Sequence, residues 1–138
     1  FKAAAGAGIT DVNKNDEGFQ YGGSFSILHE DTGLNFTLSS GKLERENQND
    51  PYNYYGKVGW LTNPFSFGWT AITVDYTRSV NLPTNTDDSY SIGAAVVQSF
   101  EKIGTEFYGL YRLHSLNREV EPSVHDIGLV SIGSRVKF

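Results

Sequence analysis

The chain has 138 residues, of which 38 % are hydrophobic and 14 % aromatic, and carries a formal net charge of −5. That length suits one domain, and aromatic and β-branched residues are too frequent for a disordered chain. The acidic balance (pI near 5.1), with no basic patch, argues against a nucleic-acid partner.

Cysteine is absent, so neither a disulfide framework nor a thiolate metal site is expected. The chain also contains no Met, so it is expected to be a processed protein or an excerpt of a longer one. No run approaches the roughly 20 apolar residues of a membrane-spanning helix.

Period-two alternation dominates, which is the pattern of half-buried strands. Segment 1–10 opens with FKAAAGAG and reads as an interior strand entered midway. DVNKNDE (11–17) follows. Asp11, Asn13 and Asn15 match the first ligands of a calcium loop, but Asp16 stands where Gly is needed and Gly22 where Glu is needed. The stretch is therefore read as a solvated loop.

In segment 18–29, Phe19, Tyr21, Phe25 and Ile27 share a face opposite Gln20, Gly22, Ser24 and Ser26. EDTG (30–33) is a short turn before segment 34–44, and the polar loop ERENQND (44–50) leads to segment 52–62. There Tyr54, Val58 and Trp60 oppose Tyr55, Lys57 and Gly59. TNPFS (62–66) reads as a turn, because Asn-Pro is a turn signal.

Segment 67–79 sets Ile72, Val74 and Tyr76 against Thr73, Asp75 and Thr77, and is followed by the long loop 79–88. Segment 89–100 sets Tyr90, Ile92, Ala94, Val96 and Phe100 against Ser91, Gly93 and Ser99. EKIG (101–104) is a turn. Segment 105–116 sets Phe107, Gly109, Tyr111 and Leu113 against Glu106, Tyr108, Leu110, Arg112 and His114. The loop 116–124 leads to the last segment, 125–138.

The pattern predicts an all-β fold: an antiparallel up-and-down transmembrane β-barrel of about eight strands. Segments near 10–12 residues exceed the roughly 5–6 of soluble strands. They match the roughly 9–11 that a bilayer requires. Short turns alternating with long polar loops fit a barrel with two unlike ends. Charges within the segments are expected on the polar side. Lys57, Asp75, Glu106, Arg112, His114 and Arg135 are thus candidate lumen-lining residues, because rings of charge sort solutes in pores. Tyr54, Trp60, Tyr90, Phe100, Phe107 and Phe138 cluster near segment ends and are candidates for interfacial girdles.

The closing stretch VSIGSRVKF resembles the terminal strand of Gram-negative outer-membrane proteins. The resemblance rests on Ser131, Gly133, Val136 and Phe138. In that family the strand is read by the barrel assembly machinery. Together with ITVDYTR and YSIGAAVVQSFEKIGTEFYGLYR, the chain is similar to the C-terminal half of a general diffusion porin, most distinctly over 68–138.

The resemblance implies an integral outer-membrane protein, in contact with lipid and lipopolysaccharide, forming a homotrimer. It implies a barrel of about sixteen strands and a water-filled channel for passive diffusion of small hydrophilic solutes and ions. No cofactor is implied. The constriction loop of such porins has no counterpart among these segments.

The alternative is a small closed eight-stranded barrel with a structural or surface-interaction role. Its interior would be packed with side chains, whereas the polar face here is rich in Gly, Ser, Thr and Ala. An enzyme is not expected. There is no GxSxG stretch, and His29, His114 and His125 stand at no triad-like spacing. A soluble sugar-binding β-sandwich would need shorter strands.

Overall fold

In a computed structural model of the chain, residues 1–11, 18–45, 49–82, 86–118 and 124–137 are described. They form one antiparallel sheet with strand order β1-β2-β3-β4-β5-β6-β7-β8. The strands are β1 (Lys2–Asp11), β2 (Phe19–His29), β3 (Leu34–Leu43), β4 (Tyr52–Phe65), β5 (Gly68–Val80), β6 (Asp88–Phe100), β7 (Thr105–Asn117) and β8 (Ile127–Val136). Among the described residues the only helical element is a 3-10 turn at Glu101–Ile103, and no helix is long and apolar enough to cross a membrane.

The expected strands all form, with ends within about three residues of expectation, the usual uncertainty of sequence-read boundaries. Each pairs with its neighbour in sequence, and β1 does not pair with β8. The sheet is therefore not closed into a barrel, and its two outer edges carry no strand partner.

One boundary differs from the sequence expectation. Thr62–Ser66 was expected to turn, but β4 continues to Phe65 through a register shift between Thr62 and Phe65. Pro64 lacks a backbone donor and sits within that irregularity, where the ladder asks nothing of it. The connection to β5 is then only Ser66 and Phe67, with Phe65 opposite Gly68. Gly68 has φ 150°, and an added Cβ would overlap the Ser99 carbonyl of β6.

At the β2–β3 turn the Gly33 N–H donates to the His29 carbonyl (2.8 Å), and the Gly33 carbonyl accepts from Leu61 N–H (2.9 Å). Gly33 has φ 72°, and its Cα lies against the Leu61 backbone. The turn is thus fused to β4 as well as to its own strands.

Cross-strand partners share a face, so the registers build two continuous surfaces. One carries Phe25, Phe36, Leu38, Val58, Ile72, Val74, Ile92, Val96, Phe107 and Val130. These side chains are exposed; Val130 is 71 % and Ile132 83 % accessible. Val80 is the only buried hydrophobic side chain among the described residues.

The molecule therefore has no conventional core. Its accessible surface is 9704 Å², against roughly 7,100 Å² for a compact soluble protein of 15.3 kDa.

Gly33→Ala is expected to destabilise the fold by more than about 1 kcal/mol, since Ala is strained at positive φ and has no room here. Urea unfolding in detergent micelles measures this. A change within about 0.3 kcal/mol would show that the turn does not hold β4.

Candidate pore wall

The second surface is polar. Reading across the registers, it holds Ser24, Ser26, Thr37, Ser39, Tyr55, Lys57, Thr73, Asp75, Ser91, Arg112 and Ser131. All six expected lining residues, Lys57, Asp75, Glu106, Arg112, His114 and Arg135, fall on it, and most join two clusters.

The first cluster crosses four strands. Lys57 on β4 faces Asp75 on β5, Asp75 faces Gly93 on β6, and Gly93 faces Arg112 on β7. Arg112 reaches over Gly93, and its Nη2 donates to both Asp75 oxygens at 2.7 Å. Its Nη1 donates to Ser91 Oγ at 3.1 Å.

The bridge requires a glycine. A Cβ on residue 93 would stand 2.7 Å from Arg112 Nη2 and 3.0 Å from Asp75 Oδ2. Gly133 does the same for Tyr108, whose ring lies over it. Lys57 makes no ion pair among the described residues. The Asp75 carboxylate across from it is engaged by Arg112, so the Lys57 ammonium is left as an uncompensated cation.

The second cluster lies at the short-turn end. Glu106 is 2 % exposed and sits opposite Arg135 and Ser99. Arg135 Nε donates to Glu106 Oε2 at 2.9 Å, and Arg135 Nη2 and Lys137 Nζ also donate to this carboxylate. One carboxylate thus holds two cations from the terminal strand onto β7. Removing a partner of such a shielded charge costs far more than an exposed surface pair contributes. Sequence alternation places Glu106, Arg135 and Lys137 on the polar side but does not show that they pair.

Counting strand positions and the flanking residues paired to them, the polar face carries five cations (Lys2, Lys57, Arg112, Arg135, Lys137) and three carboxylates (Asp75, Glu106 and Glu30, which pairs with Lys2 at 2.7 Å). The chain as a whole is acidic, so the negative charge is concentrated away from this face. His114 stands at the long-loop end, opposite Ser91 and Ile127.

The expectation that strand charges all face the polar side needs correction. Lys42 and Arg78 belong to the apolar face, opposite Tyr21 and Tyr52, and Tyr54 and Tyr90, respectively. Both lie within the last three residues of their strands at the long-loop end. Such side chains run along apolar surface and put the charged head at its rim. Lys42 pairs with Asp50 at 2.7 Å and Arg78 with Asp88 at 2.9 Å. The Lys42 ammonium and the Arg45 N–H beside Asp50 hold that carboxyl below its ordinary value.

The expected girdle residues Tyr54, Trp60, Tyr90, Phe100 and Phe107 all belong to the apolar face. They fall into two belts. At the long-loop end are tyrosines, with Tyr52 against Tyr54 (5.4 Å) and Tyr76 against Tyr90 (6.4 Å). At the short-turn end, Phe65, Phe67 and Phe100 stack in succession at 4.9 and 4.9 Å, and Phe107 meets Phe100 edge-on at 5.6 Å. Trp60 joins that end by donating its Nε1 proton to the Thr32 carbonyl (3.0 Å). The phenylalanine cluster was not legible in the sequence, because Phe65 was read as a turn residue and Phe67 as the start of a separate strand.

Of the terminal-strand residues, Ser131 and Gly133 lie on the polar face, and Val136 on the other, opposite Thr105. Phe138 lies outside the described residues, as does the loop 12–17 beyond Asp11.

Gly93→Val is expected to cost about 1–3 kcal/mol by displacing Arg112 from Asp75, the range for a charged hydrogen bond. In an Arg112→Ala background the same change is expected to cost much less. Equal costs in the two backgrounds, measured by urea unfolding, would remove Gly93 from the bridge.

Comparison with known proteins identifies no relative: no family model, no curated protein and no solved structure matches the chain.

Proposed function

We propose that this chain is wall of a water-filled β-barrel in the bacterial outer membrane, through which small hydrophilic solutes and ions diffuse passively. The observation that carries the reading is the two-faced sheet. One face is mostly apolar and the other mostly polar across the eight strands, in register, with exceptions such as Leu61, Val97, Leu110 and Leu129 on the polar side, and among the described residues no second layer covers either face. Such a sheet needs two solvents. Lipid on the apolar side supplies what a hydrophobic core would, and water on the other side solvates the charges.

Dimensions support the reading. Strands of 10–14 residues are about 33–46 Å long. Tilted as barrel strands are, they span the roughly 25 Å apolar band of outer-membrane barrels. The Lys and Arg residues of the apolar face stand only near strand ends, and a mid-depth position would cost about 2–4 kcal/mol. The tyrosine belt and the phenylalanine–tryptophan belt suit the two headgroup levels, the former beside lipopolysaccharide.

The free edges of β1 and β8 favour a wide barrel completed by further strands over a small closed one. So do the Gly, Ser, Thr and Ala of the polar face, which leave room for water. The free edge of β8 also suits strand addition by the assembly machinery. The homotrimer is part of the proposal through the porin resemblance alone.

The mechanism makes and breaks no covalent bond. Lumen width excludes by size, and wall charge biases by sign. With five cations to three carboxylates, this wall favours anions, and Lys57 contributes most freely.

Planar-bilayer recording of the completed barrel, these eight strands together with those that close it, refolded in detergent, tests the proposal. Stepwise, ohmic conductance is expected, and Lys57→Glu is expected to lower the anion-to-cation permeability ratio. Folded protein that inserts without conducting, or stays soluble without detergent, would overturn it.

A further inference from the structure

A cavity of about 450 Å³ opens on the polar face at the long-loop end, between β5, β6, β7 and the residues leading into β8. This is within the size range of small-molecule sites. Its lining includes the polar residues Thr77, Ser79, Ser89, Ser91, His114 and His125, with Tyr90 and Ser115 beside them. No carboxylate, lysine or arginine lines it among the described residues. The rest of the polar face is organised around charge, so this recess, with a mostly apolar wall studded by hydroxyls and two imidazoles, stands apart from it.

Its chemistry selects a solute class. Hydroxyls and imidazoles offer both donors and acceptors of hydrogen bonds. The hydroxyl groups of a sugar or polyol do the same, so the two sets can pair in either direction. Ser91 is 7 % exposed, and its oxygen accepts from Arg112 Nη1 at 3.1 Å. That bond fixes the oxygen and leaves the O–H free to donate into the cavity. Leu116, Val124 and Ile127 add apolar wall, which suits the C–H face of a sugar ring.

A charged solute would find no free counter-charge among the described lining residues, since the nearest, Arg112 behind Ser91, is paired with Asp75. A metal ion would find two imidazoles but no third ligand, since the described residues hold no cluster of three ligating side chains.

We propose that this recess is a weak binding subsite for neutral polyhydroxylated solutes, mono- or disaccharides, at the loop-side mouth of the channel. The proposal rests on the pore reading for its place in transport, but binding is measurable without conductance.

The three histidines supply the assay. His29 lies at the opposite end of the sheet, bonded through Nδ1 to Thr32 Oγ1 (2.7 Å), and serves as an internal control. The experiment is an NMR titration of histidine-labelled full chain in detergent micelles with sucrose, and separately with the charged probe gluconate. His114→Gln and His125→Gln assign the signals.

Sucrose is expected to move the His114 and His125 imidazole signals in a saturable way and to leave His29 in place. Gluconate is expected to move none of them. Ser91→Ala is expected to weaken sucrose binding about 2- to 10-fold, the range for one lost hydrogen bond.

No saturable shift, equal shifts at all three histidines, or an equal response to gluconate would overturn the subsite. Bilayer conductance, recorded on the same preparation, separates the two readings. Conductance without saturable shifts removes the subsite alone, and saturable shifts without conductance support it while removing the pore.

Discussion

Register is the constraint on which the rest of the structure depends. In a sheet with side chains alternating between faces, a slip of one residue moves a strand's whole set to the other side. Here seven successive antiparallel pairs keep the same phase. A slip in β7 would bring Arg112 to the apolar face and send Phe107 and Tyr111 to the polar one. The fold resists this at both ends of the strands. Tight turns at Gly33, Gly68 and Gly104 set the phase at one end. Lys42–Asp50 and Arg78–Asp88 hold charged heads at the rim of the other.

Stabilisation is therefore distributed differently from that of a soluble domain. The backbone ladder satisfies the strand interiors, and the apolar face is left for an apolar solvent. What packing the polar face has is lateral. Side chains lie down along the sheet over neighbouring glycines, as Arg112 does over Gly93 and Tyr108 over Gly133. The glycines on this face are thus gaps that neighbours fill, and they keep the wall low. The two ion clusters act in the same plane: Asp75 with Arg112 ties β5 to β7 across β6, and Glu106 ties β7 to the terminal segment.

Much of this was legible in the sequence because period-two alternation reports face directly. It gave all eight strands, the turn-and-loop rhythm, and the faces of Lys57, Asp75, Arg112, Phe107 and Val130. It failed where a local signal outranked the period. Asn63-Pro64 reads as a turn, yet the register shift absorbs the proline and β4 runs on to Phe65. It also failed at strand ends, where the solvent changes and Lys42 and Arg78 can sit on the apolar face. Cross-strand partners were not legible at all. Asp75 and Arg112 are 37 residues apart, and only the register of three strands brings them together. Which strand β8 closes against was left open by the sequence, and β1 and β8 do not pair within this chain.

The central claim is that the two faces meet different solvents, and the absence of cysteine makes it directly measurable. Single cysteines at Ile72, Thr73, Val74, Asp75 and Tyr76, spin-labelled in the full chain reconstituted in vesicles, can be probed by oxygen and by a water-soluble nickel chelate. The account predicts strict alternation: oxygen relaxes the labels at 72, 74 and 76, and the chelate relaxes those at 73 and 75. Labels accessible to the chelate at every position, or at none, would contradict it.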